Sequence, residues 1–130
     1  MTQSTQIFDP RQFDQKIHGK RTRENSDVLN SMVKFFNSIP GAYIEKRHAG
    51  PGRKGKLDLT GSYHGRRVEI EVKAPGKKPT ALQWKWIKHW TKMGAISGWC
   101  YDINGFIEIF EALNYTEIRS YFNKLLKPKT

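Results

Sequence analysis

The stretch Leu57-Asp58-Leu59-Thr60-Gly61-Ser62-Tyr63-His64-Gly65-Arg66-Arg67-Val68-Glu69-Ile70-Glu71-Val72-Lys73 decides the fold. Its second half, Arg67–Lys73, alternates cleanly. Val68, Ile70 and Val72 fall on one face of an extended chain, and Glu69, Glu71 and Lys73 fall on the other, because successive strand side chains point to opposite sides. Leu57-Asp58-Leu59 is a shorter alternating piece, and Gly61-Ser62-Tyr63-His64-Gly65 predicts a hairpin turn between the two. Closing that hairpin sets Asp58 beside Glu69 and Glu71 across the ladder. Two or three carboxylates and one lysine then share a small area of sheet.

Carboxylates crowded together repel unless a cation sits among them. Mg²⁺ often takes one or two protein carboxylates and completes its octahedron with water and substrate phosphate. A lysine on the same face lies within reach of a phosphate oxygen or a metal-bound water. This is a layout for metal-assisted phosphodiester hydrolysis. The alternative is an exposed amphipathic hairpin held by cross-strand ion pairs.

Upstream of the hairpin, Val28, Leu29, Met32, Val33, Phe35, Phe36 and Ile39 recur at helical spacing, and Pro40-Gly41 ends the run. Ala42–Arg47 reads as a strand and 50–55 as a Gly-rich basic loop. Downstream, a second basic loop at 74–79 leads to Thr80 as N-cap. The helix after it carries Leu82, Trp86, Ile87, Trp90 and Met93 on one stripe, closed by Gly94. Ala95–Ile103 reads as a strand, and Asn104-Gly105 predicts a tight hairpin to a further strand at Phe106–Phe110. Asn114 to Glu117 has capping-box spacing ahead of a last helix that buries Ile118, Tyr121, Phe122, Leu125 and Leu126. The expected order is helix, three strands, helix, two strands, helix. That mixture in one domain is α/β or α+β.

The chain has 130 residues, with 23 Lys and Arg against 12 Asp and Glu, a net charge of +11. The length favours one domain with its own core, at 23–130, behind a polar arm at 1–22 that reads as mobile and basic. A single cysteine, Cys100, excludes an internal disulfide and argues against a Cys-ligated structural zinc. No apolar run reaches the length of a membrane span, and the N-terminus lacks a signal-peptide pattern. A soluble, cytoplasmic protein with no membrane partner is expected. The charge points to a polyanion. It is concentrated in 72–101, which hold six lysines, all four tryptophans and no acid. A solvated lysine face over an aromatic core is the competing reading.

The residues from Gly55-Lys56-Leu57-Asp58-Leu59-Thr60-Gly61, through Gly65, Glu69-Ile70-Glu71-Val72-Lys73 and Gln83, to Gly94-Ala95 resemble the VRR-NUC family, a branch of the PD-(D/E)XK nucleases found in viral replication and DNA-repair proteins. The resemblance covers about residues 24–103. It implies a restriction-endonuclease-like core of helix, three strands, helix and strand, here with an added hairpin strand and a C-terminal helix. It implies that Asp58 and Glu71 bind Mg²⁺ or Mn²⁺ with the backbone carbonyl of Val72. Lys73 would be the catalytic lysine and Gln83 would help hold the site. Glu24 matches an acid that opens the first helix and reaches toward the metal; a helix N-terminal acid favoured by the macrodipole is the alternative. Glu69 has no counterpart in the motif and reads as a supporting or an exposed residue. The proline that often precedes the first acid is here Leu57. Small stand-alone members act as homodimers on branched DNA, including four-way (Holliday) junctions, and a phage or viral origin would suit that.

Candidate DNA contacts are Lys20 and Arg21 in the arm, Arg53 and Lys54 in the first loop, Lys77 and Lys78 in the second, and Lys85 and Lys88, with Lys92, along the tryptophan helix. Trp84 lies off the apolar stripe and reads as partly buried or as a stacking platform. His48 and His89 lack partners at metal spacing and read as surface histidines, and Cys100 as a buried thiol. The 50–55 loop lacks the Lys-Ser or Lys-Thr of a Walker loop, so no nucleotide cofactor is expected. A non-catalytic nucleic-acid-binding module on the same fold, or a nuclease for flaps, linear duplex or RNA, remains the alternative.

Overall fold

The computed structural model describes residues 24–47 and 56–126, with side chains at 28–47 and 56–124. The arm at 1–22, the basic loop at 50–55 and the side chain of Glu24 lie outside them. The described elements run α1 (Glu24–Asn37), β1 (Ala42–Lys46), β2 (Leu59–Tyr63), β3 (Arg66–Val72), α2 (Ala81–Lys92), β4 (Ile96–Cys100), α3 (Ile103–Ala112) and α4 (Thr116–Leu126). The class is α/β. One mixed sheet has the order β1-β2-β3-β4, with the first two pairings antiparallel and β3–β4 parallel.

The hairpin forms with a tighter turn than its glycines suggest. Tyr63 pairs with Arg66, so only His64 and Gly65 turn the chain, and both have positive φ, 49° and 83°. Two consecutive left-handed residues twist with the strands, as a two-residue hairpin loop needs. Gly61 is therefore not in the turn but inside β2. There a Cβ would fall 1.9 Å from the Tyr43 carbonyl oxygen, so glycine is needed where β1 presses close.

The two faces of the sheet differ. Val68, Ile70 and Val72 join Ile44, Leu59, Ile96 and Cys100 in a core with α1, α3 and α4. Aromatic rings fill it: Phe36 meets Phe106 at 5.4 Å edge-on, and Phe35 meets Phe122 at 5.9 Å. On the opposite face, among the described residues, α2 packs over β3 and β4. α2 does not bury the stripe expected of it. Ile87 is buried, Trp86 and Trp90 are half-buried, and Leu82 and Met93 are exposed. The helix crosses a polar sheet face, so it needs fewer apolar contacts than a core helix.

Two expectations downstream of β4 are overturned. Ile103–Ala112 is a helix, not a hairpin returning through Phe106–Phe110. Asp102 caps it, accepting from the Gly105 N–H at 2.9 Å. Ile103, Phe106, Ile107 and Phe110 are buried at helical spacing. Gly105 is small because a Cβ would come 2.9 Å from the Cys100 Cβ. The close approach of α3 to β4, not a turn, explains that glycine.

Asn114, in turn, does not cap α4. It has φ 70° and ends α3, where its N–H donates to the Glu111 carbonyl and the Tyr115 N–H to that of Phe110. This paired closure suits an asparagine that tolerates the left-handed conformation. Gly94 closes α2 with the same pattern, as the sequence suggested. Glu117 instead accepts from the hydroxyl of Tyr63, which is buried, and contacts His64 Nε2 at 2.9 Å. The last helix buries Ile118 and Phe122, and Tyr121 is half-buried.

Candidate active site

The site begins one residue before β2. Continuing the β2–β3 register past Leu59↔Ile70 places Asp58 opposite Glu71. The two residues complete that rung with their side chains. The Asp58 N–H donates to Glu71 Oε1 at 3.2 Å, and the Val72 N–H donates to Asp58 Oδ2 at 3.0 Å. Each acid is thus held by the other's strand. The short strand expected at Leu57–Leu59 starts only at Leu59, because these carboxylates replace ladder bonds at Asp58.

Glu71 is buried, and burial and the adjacent Asp58 charge push its carboxyl up to about 7, against the lowering influence of Lys73 and the Asp58 N–H. Lys73 follows the end of β3, its N–H bonded to the Cys100 carbonyl, and its Nζ lies 3.5 Å from Glu71 Oε2. Gln83 reaches the same oxygen, its Nε2 donating at 2.9 Å. Its position comes from helix capping. Thr80 Oγ1 accepts from the Gln83 N–H, and Gln83 Oε1 accepts from the Thr80 N–H, a reciprocal capping box. That box fixes which end of the amide faces Glu71.

Asp58, Glu71, Lys73 and Gln83 therefore come together as the sequence suggested, with Glu71 at the centre. Glu69 does not join them and is not exposed. It is fully buried, opposite Thr60, whose hydroxyl donates to it at 2.6 Å. Arg67 bonds it at 2.8 Å and Arg47 at 3.2 Å. Arg47 also donates to the Leu57 carbonyl at 3.3 Å, and its backbone N–H donates to the Asp58 carbonyl at 2.8 Å. Glu69 thereby anchors an arginine that braces the segment carrying Asp58. The sequence reading missed Arg47, although Glu45 and Arg47 continue the β1 alternation toward this face.

The donor chemistry suits a hard divalent cation. Two facing carboxylates, one of them reluctant to ionise beside the other, supply oxygen ligands whose repulsion a cation relieves. Among the described residues no third His, Cys, Asp or Glu joins them. Burial pushes the Cys100 thiol up, in keeping with an inert structural thiol.

Exposed basic residues gather on one part of the chain. Lys77, Lys78, Lys85, Lys88 and Lys92 are exposed, on the loop before α2 and along that helix. The Arg67 guanidinium lies 3.9 Å from the Trp90 ring centre, and Lys56 lies 5.7 Å from that of Trp86. His89 is exposed and packs edge-on against Trp86 and Trp90. Trp84 is partly exposed, its ring edge-on to Trp99. Lys20, Arg21, Arg53 and Lys54 lie outside the described residues. No helix among the described residues is long and apolar enough to cross a membrane.

No protein-family model, no curated protein and no solved structure matches this chain.

Proposed function

We propose that the chain is a metal-dependent endonuclease of the VRR-NUC type that hydrolyses phosphodiester bonds in branched DNA, four-way junctions among them. The observation that carries the reading is the Asp58–Glu71 pair, tied by reciprocal backbone bonds, with Lys73 and Gln83 on one Glu71 oxygen. A structural ion pair needs one acid and one base. Here two acids face each other, and burial and the Asp58 charge make Glu71 reluctant to ionise, which a cation would relieve.

Bound Mg²⁺ or Mn²⁺ would lower the pKa of a water and offset charge on the phosphate. Asp58 and Glu71 would hold that cation, with the Val72 carbonyl as a further ligand. Gln83 keeps the Glu71 carboxylate oriented. Lys73, on the rim, positions the attacking water or a phosphate oxygen. The exposed lysines of the 77–92 region track the phosphate backbone, so selectivity comes from DNA shape rather than base edges. Paired cuts across a junction need two such sites, which a homodimer supplies. A cytoplasmic setting, in a host cell if the chain is phage-encoded, suits this role.

The test is incubation with a four-way junction, linear duplex and RNA, in Mg²⁺, Mn²⁺ or EDTA. Cleavage of the junction in metal and none in EDTA is expected. Absence of metal-dependent cleavage of every substrate overturns the enzyme and leaves a binding module. Asp58→Ala is expected to abolish cutting while DNA binding persists.

A further inference from the structure

The charges gathered around Glu69 do not balance. Arg47 approaches the buried carboxylate with both Nη atoms, at 3.2 and 3.3 Å, and the Thr60 hydroxyl donates at 2.6 Å. Both oxygens of Glu69 are therefore bonded before Arg67 adds a further bond from Nε at 2.8 Å. Glu45, on the same face of the sheet, accepts from the Tyr43 hydroxyl at 2.9 Å and not from either guanidinium. Two guanidiniums share one carboxylate, and one positive charge is left over.

Arg67 carries that excess, and two contacts hold it in place. Glu69 takes its Nε, and its guanidinium lies 3.9 Å from the centre of the Trp90 ring. Among the described residues its hydrogen bonding leaves from Nε alone. Its side chain is 49 % exposed, against 20 % for Arg47, so Arg67 is the arginine that an outside group can reach. The two Nη groups remain for such a group. A planar fork matches two oxygens of a phosphate, and a fork already fixed loses little freedom when it binds.

Its place relates it to the carboxylate pair. Arg67, Glu69 and Glu71 share one face of β3, and Arg67 comes four residues before Glu71, about 13 Å along the strand. α2 connects the same two points. Gln83, which bonds Glu71, and Trp90, which packs on Arg67, are about two turns apart on one side of that helix. A span of about 13 Å corresponds to roughly four nucleotides of duplex, at about 3.4 Å each. One sheet face thus has two acids at one end and an unbalanced guanidinium at the other, a place for a cation and a place for an anion.

We propose that Arg67 grips a backbone phosphate of DNA within about four nucleotides of the bond that is cut, and so sets which phosphate reaches Asp58 and Glu71. The proposal rests on the nuclease reading for the presence of DNA. It adds a substrate contact that is separate from the cation's ligands.

The test measures binding of a four-way junction in EDTA, where nothing is cut, by fluorescence anisotropy over a range of salt concentrations. Arg67→Gln leaves Arg47 and Thr60 on Glu69, and circular dichroism checks its folding. Its affinity is expected to fall about tenfold, and the slope of log affinity against log salt to shrink by about one. Single methylphosphonates, each removing one phosphate charge, then locate the contact. They are placed in turn on either strand within about four nucleotides of the position the parent cuts in Mg²⁺. One of them is expected to weaken the parent about tenfold and Arg67→Gln less than about twofold. If Arg67→Gln does not fold, Arg67→Lys decides, since it keeps the charge beside Glu69 and loses the fork; the same methylphosphonate should weaken it less than about threefold. Equal losses in parent and variant at every position overturn the contact. If junctions are still cut in Mg²⁺, the nuclease reading survives that failure. If Arg67→Gln lowers affinity and slope but nothing is cut, the contact stands and the nuclease reading fails. If no DNA binds, both fall.

Discussion

Glu69 and Glu71 sit two residues apart on one face of one strand, and both are buried. Their surroundings are opposite. Glu69 meets two guanidiniums and a hydroxyl, an arrangement that satisfies a buried carboxylate. Glu71 meets a second carboxylate, one lysine and one amide. The first pattern builds a protein. The second sets like charges together and makes one of them reluctant to ionise. Burial alone does not separate structure from chemistry; the sign of the neighbours does.

The sharpest way to break this contrast is to remove each acid or its partner and read stability and cleavage separately. Glu69→Ala leaves Arg47 and Arg67 without their shared carboxylate. About 3 kcal/mol of unfolding free energy is expected to be lost, at the lower end for a broken buried pair because both arginines keep access to solvent. Urea denaturation measures it, and a loss under 1 kcal/mol would erase the distinction.

Lys73→Ala has the reverse signature. Cleavage is expected to fall at least about 10²-fold, with DNA affinity in EDTA within about threefold of the parent. Unchanged turnover would remove Lys73 from the chemistry.

Glu71 sets a pH test. Its carboxyl is raised in the fold to about 7 from an ordinary 4.5. Between those values the unfolded chain ionises first, so metal-free stability is expected to decline as pH rises from 4.5 through 7 and then level off. Glu71→Gln should remove that decline and make the metal-free protein more stable at pH 8, by on the order of 2 kcal/mol. Mg²⁺ should raise the melting temperature of the parent at pH 8 and have little effect on this variant. A flat stability profile for the parent would contradict the repulsion argued for the pair.

The smallest effect is expected from Gln83→Ala, which loses one half of a capping box and the amide bond to Glu71. About 1 kcal/mol of stability is expected to go, in the range of lost caps, together with a weaker response to Mg²⁺. Gln83→Glu keeps the cap but replaces the amide donor with a third carboxylate against Glu71, so it should be less stable than the parent at pH 8.

Much of the site was legible in the sequence because alternation fixes faces. Val68, Ile70 and Val72 had to oppose Glu69 and Glu71, and a hairpin had to bring Asp58 across. The division of labour between Glu69 and Glu71 was not legible, since it depends on Arg47 arriving from another strand. The first helix and the Thr80 cap were also readable, from periodicity and local chemistry. The region after β4 was misread for a physical reason. Asn104-Gly105 carries the chemistry of a tight turn, but Asp102 caps a helix there, and Gly105 answers a tertiary contact with Cys100. Phe106, Ile107 and Phe110 fit helical spacing equally well, and the turn signal overrode them. Asn114 likewise served the end of one helix rather than the start of the next.

The bond from Tyr63 to Glu117 has a temporal consequence. Tyr63 closes β2 in the first half of the chain, yet the carboxylate that takes its buried hydroxyl is synthesised 54 residues later. On a ribosome, the β2–β3 hairpin can pair its strands early, but that hydroxyl has no carboxylate until α4 has emerged. The backbone ladder at Tyr63 closes with β1 and β3 alone, so a chain released early would expose the tyrosine hydroxyl rather than an unpaired strand.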